Sequence, residues 1–106
     1  MPTISADRKV QTVITTFEVN PGTCHDLLGE LRSTCDQVIS QQKGFVSAAL
    51  HVNDAQTRIA NYSQWETRED FQAMLRSEAM LERSRKINAM CKNFEPVMYD
   101  VVYCSG

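Results

Sequence analysis

No apolar run in this 106-residue chain approaches the length of a membrane span. The first residues, Met-Pro-Thr-Ile-Ser-Ala-Asp-Arg-Lys, contain no apolar signal core. A membrane partner is therefore not expected, and a cytoplasmic location is. The four cysteines, Cys24, Cys35, Cys91 and Cys104, show no CxxC pairing. That argues against a zinc site or a disulfide framework and for buried or half-buried thiols in a reducing compartment. Basic charge is not in excess: the net charge is −2. A nucleic-acid partner has no electrostatic footprint here, and Arg83, Arg85 and Lys86 are interleaved with Glu78 and Glu82. No nucleotide loop, HExxH helix, serine elbow or paired-carboxylate motif is present. The two histidines, His25 and His51, stand apart. No metal is expected.

What remains is an ordinary globular composition, 42% hydrophobic and 23% charged. The length suits one domain, expected over residues 10–106, with residues 1–9 a polar, loose arm. Val10–Val19 reads as a first strand, with Val13, Thr15, Phe17 and Val19 on one face and Thr12, Ile14, Thr16 and Glu18 on the other. Asn20-Pro21-Gly22 is a turn signal. Thr23 is placed to cap a helix running to about Gln41, with Asp26 in its first turn. Its apolar stripe is Leu27, Leu28, Leu31, Cys35, Val38 and Ile39. Gly44 ends that region.

Phe45–Val52 reads as a second strand, with Val46, Ala48, Leu50 and Val52 opposite Phe45, Ser47, Ala49 and His51. Asn53–Gln56 is a hairpin loop. Arg58–Glu66 is a third strand, placing Ile59, Asn61, Ser63 and Trp65 on one face. Thr67 caps the next helix, with Asp70 in the capping-box position. A break is expected near Ser77, and the helical pattern resumes through Met80, Leu81, Ile87 and Met90. A last strand starts at Phe94 and runs toward Cys104, Pro96 sitting near its start. The order strand, helix, strand, strand, helix, strand is the α+β, ferredoxin-like βαββαβ pattern, an antiparallel sheet with helices on one face. Apolar residues on both faces of the first, second and last strands predict a homodimer packed sheet against sheet.

Asn61 and Trp65 aim an amide and the only indole in the same direction. They either line a pocket for a flat, oxygen-bearing ligand or serve as core and backbone anchor. His51, beside the hairpin, is either an acid/base candidate or a surface residue. The methionines Met74, Met80, Met90 and Met98 suit core filling or an adaptable apolar pocket.

Gly44-Phe45, then Asn61-Tyr62-Ser63-Gln64-Trp65, then Asp70-Phe71 resemble the centre of the antibiotic biosynthesis monooxygenase family. Phe94-Glu95-Pro96-Val97 with Tyr99 resembles its last strand. The resemblance spans Val10 to Tyr103 and implies a dimeric α+β barrel. In polyketide-tailoring members, flat phenolic, anthrone- or quinol-type compounds are oxidised by O2 with no cofactor: no metal, flavin or haem. It implies Asn61, Trp65 and Arg85 as catalytic residues. Asn61 would contact the substrate oxygen, Trp65 would wall the pocket, and Arg85 would stabilise an anion or peroxy intermediate. His51, Phe71, Met74 and Thr16 are the accompanying substrate-binding candidates. Phe71 stands where some members have a pocket tyrosine, and Thr15 and Thr16 fall where some have an asparagine. The partners implied are a small aromatic substrate and O2. The alternatives are a non-catalytic dimeric module for a small aromatic ligand and a haem-degrading monooxygenase. The last lacks an axial ligand, because no histidine follows Trp65.

Overall fold

The computed structural model describes residues 3–4 and 9–105. Its elements are β1 (Gln11–Glu18), α1 (Pro21–Gln37), a 3-10 turn (Ile39–Gln41), β2 (Phe45–Val52), β3 (Arg58–Trp65), α2 (Arg68–Arg76), α3 (Glu78–Met90) and β4 (Asn93–Tyr99). The four strands form one antiparallel sheet in the order β2-β3-β1-β4. This is the ferredoxin-like α+β arrangement, with β1 and β3 at the centre.

Local chemistry sets the element ends. Proline cannot donate an amide proton, so Pro21 fits a first helical position. Asn20, extended at φ −75° and ψ 143°, precedes it, and its carbonyl takes the Thr23 and Cys24 amides at 2.9 and 3.1 Å. The helix therefore begins before Thr23, which is not its cap, and Asp26 lies beyond the first turn. Thr67 does cap α2: its side chain accepts from the Asp70 amide at 3.0 Å. The expected break is real. Ser77 ends α2 and caps α3, its hydroxyl accepting from the Met80 amide at 3.2 Å.

The core lies between the sheet and the helices. It contains Val13, Phe17, Ile59 and Trp65 from the sheet, Cys24, Leu27 and Leu31 from α1, and Phe71, Met74, Met80 and Ile87 from α2 and α3. Two departures from strict periodicity matter. A bulge between Phe45 and Ser47 resets β2, and such an insertion turns the preceding side chain to the other face. Phe45 thereby joins Leu50 on the helix side, where its ring meets Trp65 edge-on at 5.6 Å. On α1, Leu28, half-buried against the core, and Cys35 line an open groove shared with Leu50 and Val52 of β2. Thr34 takes the inward place and is fully buried.

The last strand stops at Tyr99, short of Cys104, and Val102 beyond it is 91% exposed. On the far face of the sheet, Gln64 is buried. It accepts from the Ser47 hydroxyl at 2.9 Å and donates to the Thr3 carbonyl at 2.7 Å. Most of the arm expected over residues 1–9 lies outside the described residues.

Candidate active site

Strand periodicity aims Thr15 and Phe17 of β1, Asn61, Ser63 and Trp65 of β3, and Phe94 and Pro96 of β4 at the helices. The register sets Thr15 between Asn61 and Pro96. From above, α1 contributes Leu31 and Thr34, α2 contributes Phe71, Met74 and Leu75, and α3 contributes Met80, Ser84 and Ile87. Together they enclose a cavity of about 60 Å³. A single water needs roughly 10–15 Å³ on this measure. The space therefore admits several water-sized molecules and is lined mainly by apolar groups.

Trp65 is held from two sides. Its ring meets Phe45 at 5.6 Å and 85°, and Phe71 at 5.8 Å and 65°. Edge-to-face contacts of this kind are favoured by the ring quadrupoles. Phe17 and Phe94 stack at 5.8 Å on the other flank. These contacts give the cavity rigid aromatic walls, while Met74 and Met80 give it an adaptable roof.

The polar content is sparse and specific. Asn61 Oδ1 and Trp65 Nε1 are both buried, and neither finds a hydrogen-bond partner among the described residues. A buried polar group left unpaired costs roughly 1–3 kcal/mol, so two in one cavity ask for a ligand or water. The Ser63 hydroxyl is already committed to the Val13 carbonyl at 3.3 Å. No ionisable side chain lines the cavity among the described residues. Two thiols elsewhere are perturbed: burial pushes Cys35 up, helped by Asp36, and burial also raises Cys91, partly offset by the Asn93 amide.

Of the seven residues expected from sequence, the structure brings Asn61, Trp65, Phe71 and Met74 together and leaves three outside. Thr16 is exposed on the far face, opposite Ala60 and Glu95, because side chains alternate; its neighbour Thr15 is the lining residue. His51 pairs with Ala60 on that same far face and is exposed. Arg85 is exposed because the inward side of α3 is Met80, Ser84 and Ile87, at helical spacing; one residue past Ser84 turns away by about 100°. Thr34 and Ser84 were missed by a reading that sought apolar stripes. Thr34 had a signal, since it continues the Leu27, Leu31, Val38 spacing.

The family profile described as antibiotic biosynthesis monooxygenase matches residues 10–85. The chain belongs to the antibiotic biosynthesis monooxygenase family. It is 34% identical over 74 residues to the tetracenomycin-F1 monooxygenase of Streptomyces glaucescens, a match covering 70% of this chain and 66% of that enzyme. The chain thus matches just under two thirds of the relative's length. SnoaB, a cofactor-independent oxygenase from Streptomyces nogalater, superposes with a TM-score of 0.80 at 17% identity, covering 92% of this chain and 97% of the other. An anthrone oxidase-like protein superposes with a TM-score of 0.84 at 22% identity, covering 92% of this chain and 41% of that one. At such identities the superpositions establish the shared monooxygenase-family fold. No helix among the described residues is long and apolar enough to cross a membrane.

Proposed function

We propose that this protein is a cofactor-independent monooxygenase acting on a flat phenolic, anthrone- or quinol-type compound with O2. The carrying observation is that Asn61 and Trp65 both line one mostly apolar cavity while their Oδ1 and Nε1 atoms are buried without partners among the described residues. Such a cavity suits an aromatic ligand bearing an oxygen, with the flat faces against Phe and Met side chains and the oxygen at the two polar groups. Loss of the substrate proton makes an electron-rich anion. The Trp65 N–H and the Asn61 Nδ2–H would donate to the developing charge, while Asn61 Oδ1 can only accept from a substrate O–H. The anion reduces O2, the two recombine, and loss of water converts the ring methylene of an anthrone to a carbonyl. About 60 Å³ is less than a three-ring compound fills, so loading displaces the methionine roof.

The relatives' names support this substrate class, as does the placement of Asn61 and Trp65. We further propose a homodimer joined through the far face of the sheet, where Ile14, Tyr62 and Val97 are half-buried and Tyr99 is 48% exposed. The four free cysteines suit a reducing, cytoplasmic setting.

The test is O2 uptake by metal-free protein given an anthrone or a hydroquinone. Uptake above the spontaneous rate, cut roughly 10- to 1000-fold in Asn61→Ala and Trp65→Phe, is the expected result. Saturable binding without uptake would instead make the protein a ligand-binding module. A monomer by light scattering would remove the dimer.

A further inference from the structure

A cavity without an ionisable lining group leaves the substrate proton with no evident destination. One polar lining group answers this. Thr34, fully buried on α1, donates its hydroxyl hydrogen to Glu30 Oε2 at 3.3 Å. Glu30 lies one turn earlier on α1 and does not line the cavity. A helical threonine commonly turns its hydroxyl back to the carbonyl four residues earlier; this one is directed to a carboxylate. Glu30 is itself fixed. Arg83 of α3 donates to the same Oε2 at 3.1 Å, and also to the Ser33 hydroxyl at 3.1 Å and Gln37 Oε1 at 2.6 Å. The ion pair is 19% exposed at Glu30 and 21% at Arg83, so it borders solvent. Among the described residues, Thr34 is the only cavity-lining group hydrogen-bonded to an ionisable side chain.

We propose that Thr34 and Glu30 form the proton exit of the cavity. With its hydrogen committed to Glu30, the Thr34 oxygen presents lone pairs inward and can accept only a donor, such as a substrate O–H. The substrate O–H bond breaks and its proton joins Thr34 Oγ1. In the same movement the original Thr34 hydrogen passes to Glu30 Oε2. The electron pair stays on the substrate oxygen, leaving the anion, and Glu30 releases the proton to solvent. Thr34, which faces the substrate, is the catalytic residue of this pair. Glu30 acts through it as a positioning residue. The step rests on the oxygenase reading, but the acceptor site itself does not.

Two measurements separate them. Trp65 is the only tryptophan and lines the cavity, so its fluorescence under argon reports occupancy. Wild type and Thr34→Ser are expected to bind 1,8-dihydroxyanthraquinone about tenfold more tightly than its dimethyl ether. Thr34→Val, nearly the same shape without the hydroxyl, is expected to bind both alike. Under air with an anthrone, Thr34→Val is expected to lower kcat about 100-fold, with Thr34→Ser restoring most of it. Glu30→Gln is expected to remove the acidic limb of the kcat pH profile while leaving KM within about twofold. Undiminished preference for the free phenol in Thr34→Val overturns the acceptor site, and an unchanged profile in Glu30→Gln overturns the relay, each leaving the oxygenase reading standing. Absence of O2 uptake in wild type, with the phenol preference lost in Thr34→Val, would sink the oxygenase and its relay but establish the acceptor.

Discussion

Gly44 and Asp70 share one corner of the fold: a Cβ placed on Gly44 would overlap the Asp70 side chain. Gly44 also holds φ at +83°, a conformation that side-chain-bearing residues rarely adopt. Its carbonyl accepts the Glu66 amide at 2.7 Å, tying the entrance of β2 to the end of β3. Gly44→Ala therefore meets strain and overlap together. It is expected to lose about 2 kcal/mol, a fall of roughly 10 °C in Tm for a domain this size. Adding Asp70→Ala should return the part due to overlap and leave the part due to φ. Thermal unfolding of both variants checks this, and equal Tm values would contradict it.

Thr15 and Thr16 are neighbours on β1 but face opposite ways. Thr15 lines the cavity between Asn61 and Pro96, while Thr16 is exposed on the far face. Thr15→Leu should fill the cavity and weaken aromatic binding at least about tenfold, at a stability cost of roughly 1–3 kcal/mol from overpacking. Thr16→Ala should leave binding unchanged. Titration of Trp65 fluorescence distinguishes them, and the reverse ranking would overturn the face assignment.

Arg83 joins α3 to α1 through Glu30, Ser33 and Gln37. Arg83→Met keeps the aliphatic stem but removes the donor to Glu30, Ser33 and Gln37, leaving Glu30 Oε2 only the Thr34 hydroxyl. A loss of about 1–3 kcal/mol in urea unfolding is expected, largely from the half-buried Glu30. Lys at this position should recover only part, because one ammonium does not reproduce the fork geometry.

The thiols differ in reach and in proton affinity. Cys104 is exposed, Cys24 is buried, and burial raises the pKa of Cys35 and Cys91 from an ordinary value of 9.0. Alkylation near pH 8 should label Cys104 first, with Cys35 and Cys91 slower and Cys24 last. A raised folded-state pKa means the folded chain holds its proton when the unfolded chain has released it. The stability tied to these two thiols is therefore complete below pH 9. It is lost as pH rises through their folded values. Cys35→Ser with Cys91→Ser should flatten that alkaline decline.

Elements and their order were legible in the residues because their signals are local. Alternation marked β1 and β3, Thr67 and Ser77 marked the helix starts, and Phe45–Val52 coincides with β2. The pairing of Asn61 with Trp65 on one face followed from strand period alone. Thr23 misled because the fixed φ of Pro21 starts the helix earlier than a side-chain cap would. Alternation continues through Val101 and Tyr103, but the strand ends at Tyr99, beyond which no neighbouring strand lies among the described residues.

By itself the sequence determined the βαββαβ order, the caps of α2 and α3 and the direction shared by Asn61 and Trp65. Each depends on chemistry within a few residues. Tertiary structure alone decided that a cavity exists beneath α1–α3 and that a bulge turns Phe45 onto Trp65. It also placed Ser84 rather than Arg85, and Thr15 rather than Thr16, at the cavity wall. The Glu30–Arg83 pair spans 53 residues, and no local pattern can specify which helix faces meet. That choice belongs to the packing of α1 on α3, and it is what gives Thr34 a carboxylate behind its hydroxyl and a cavity in front.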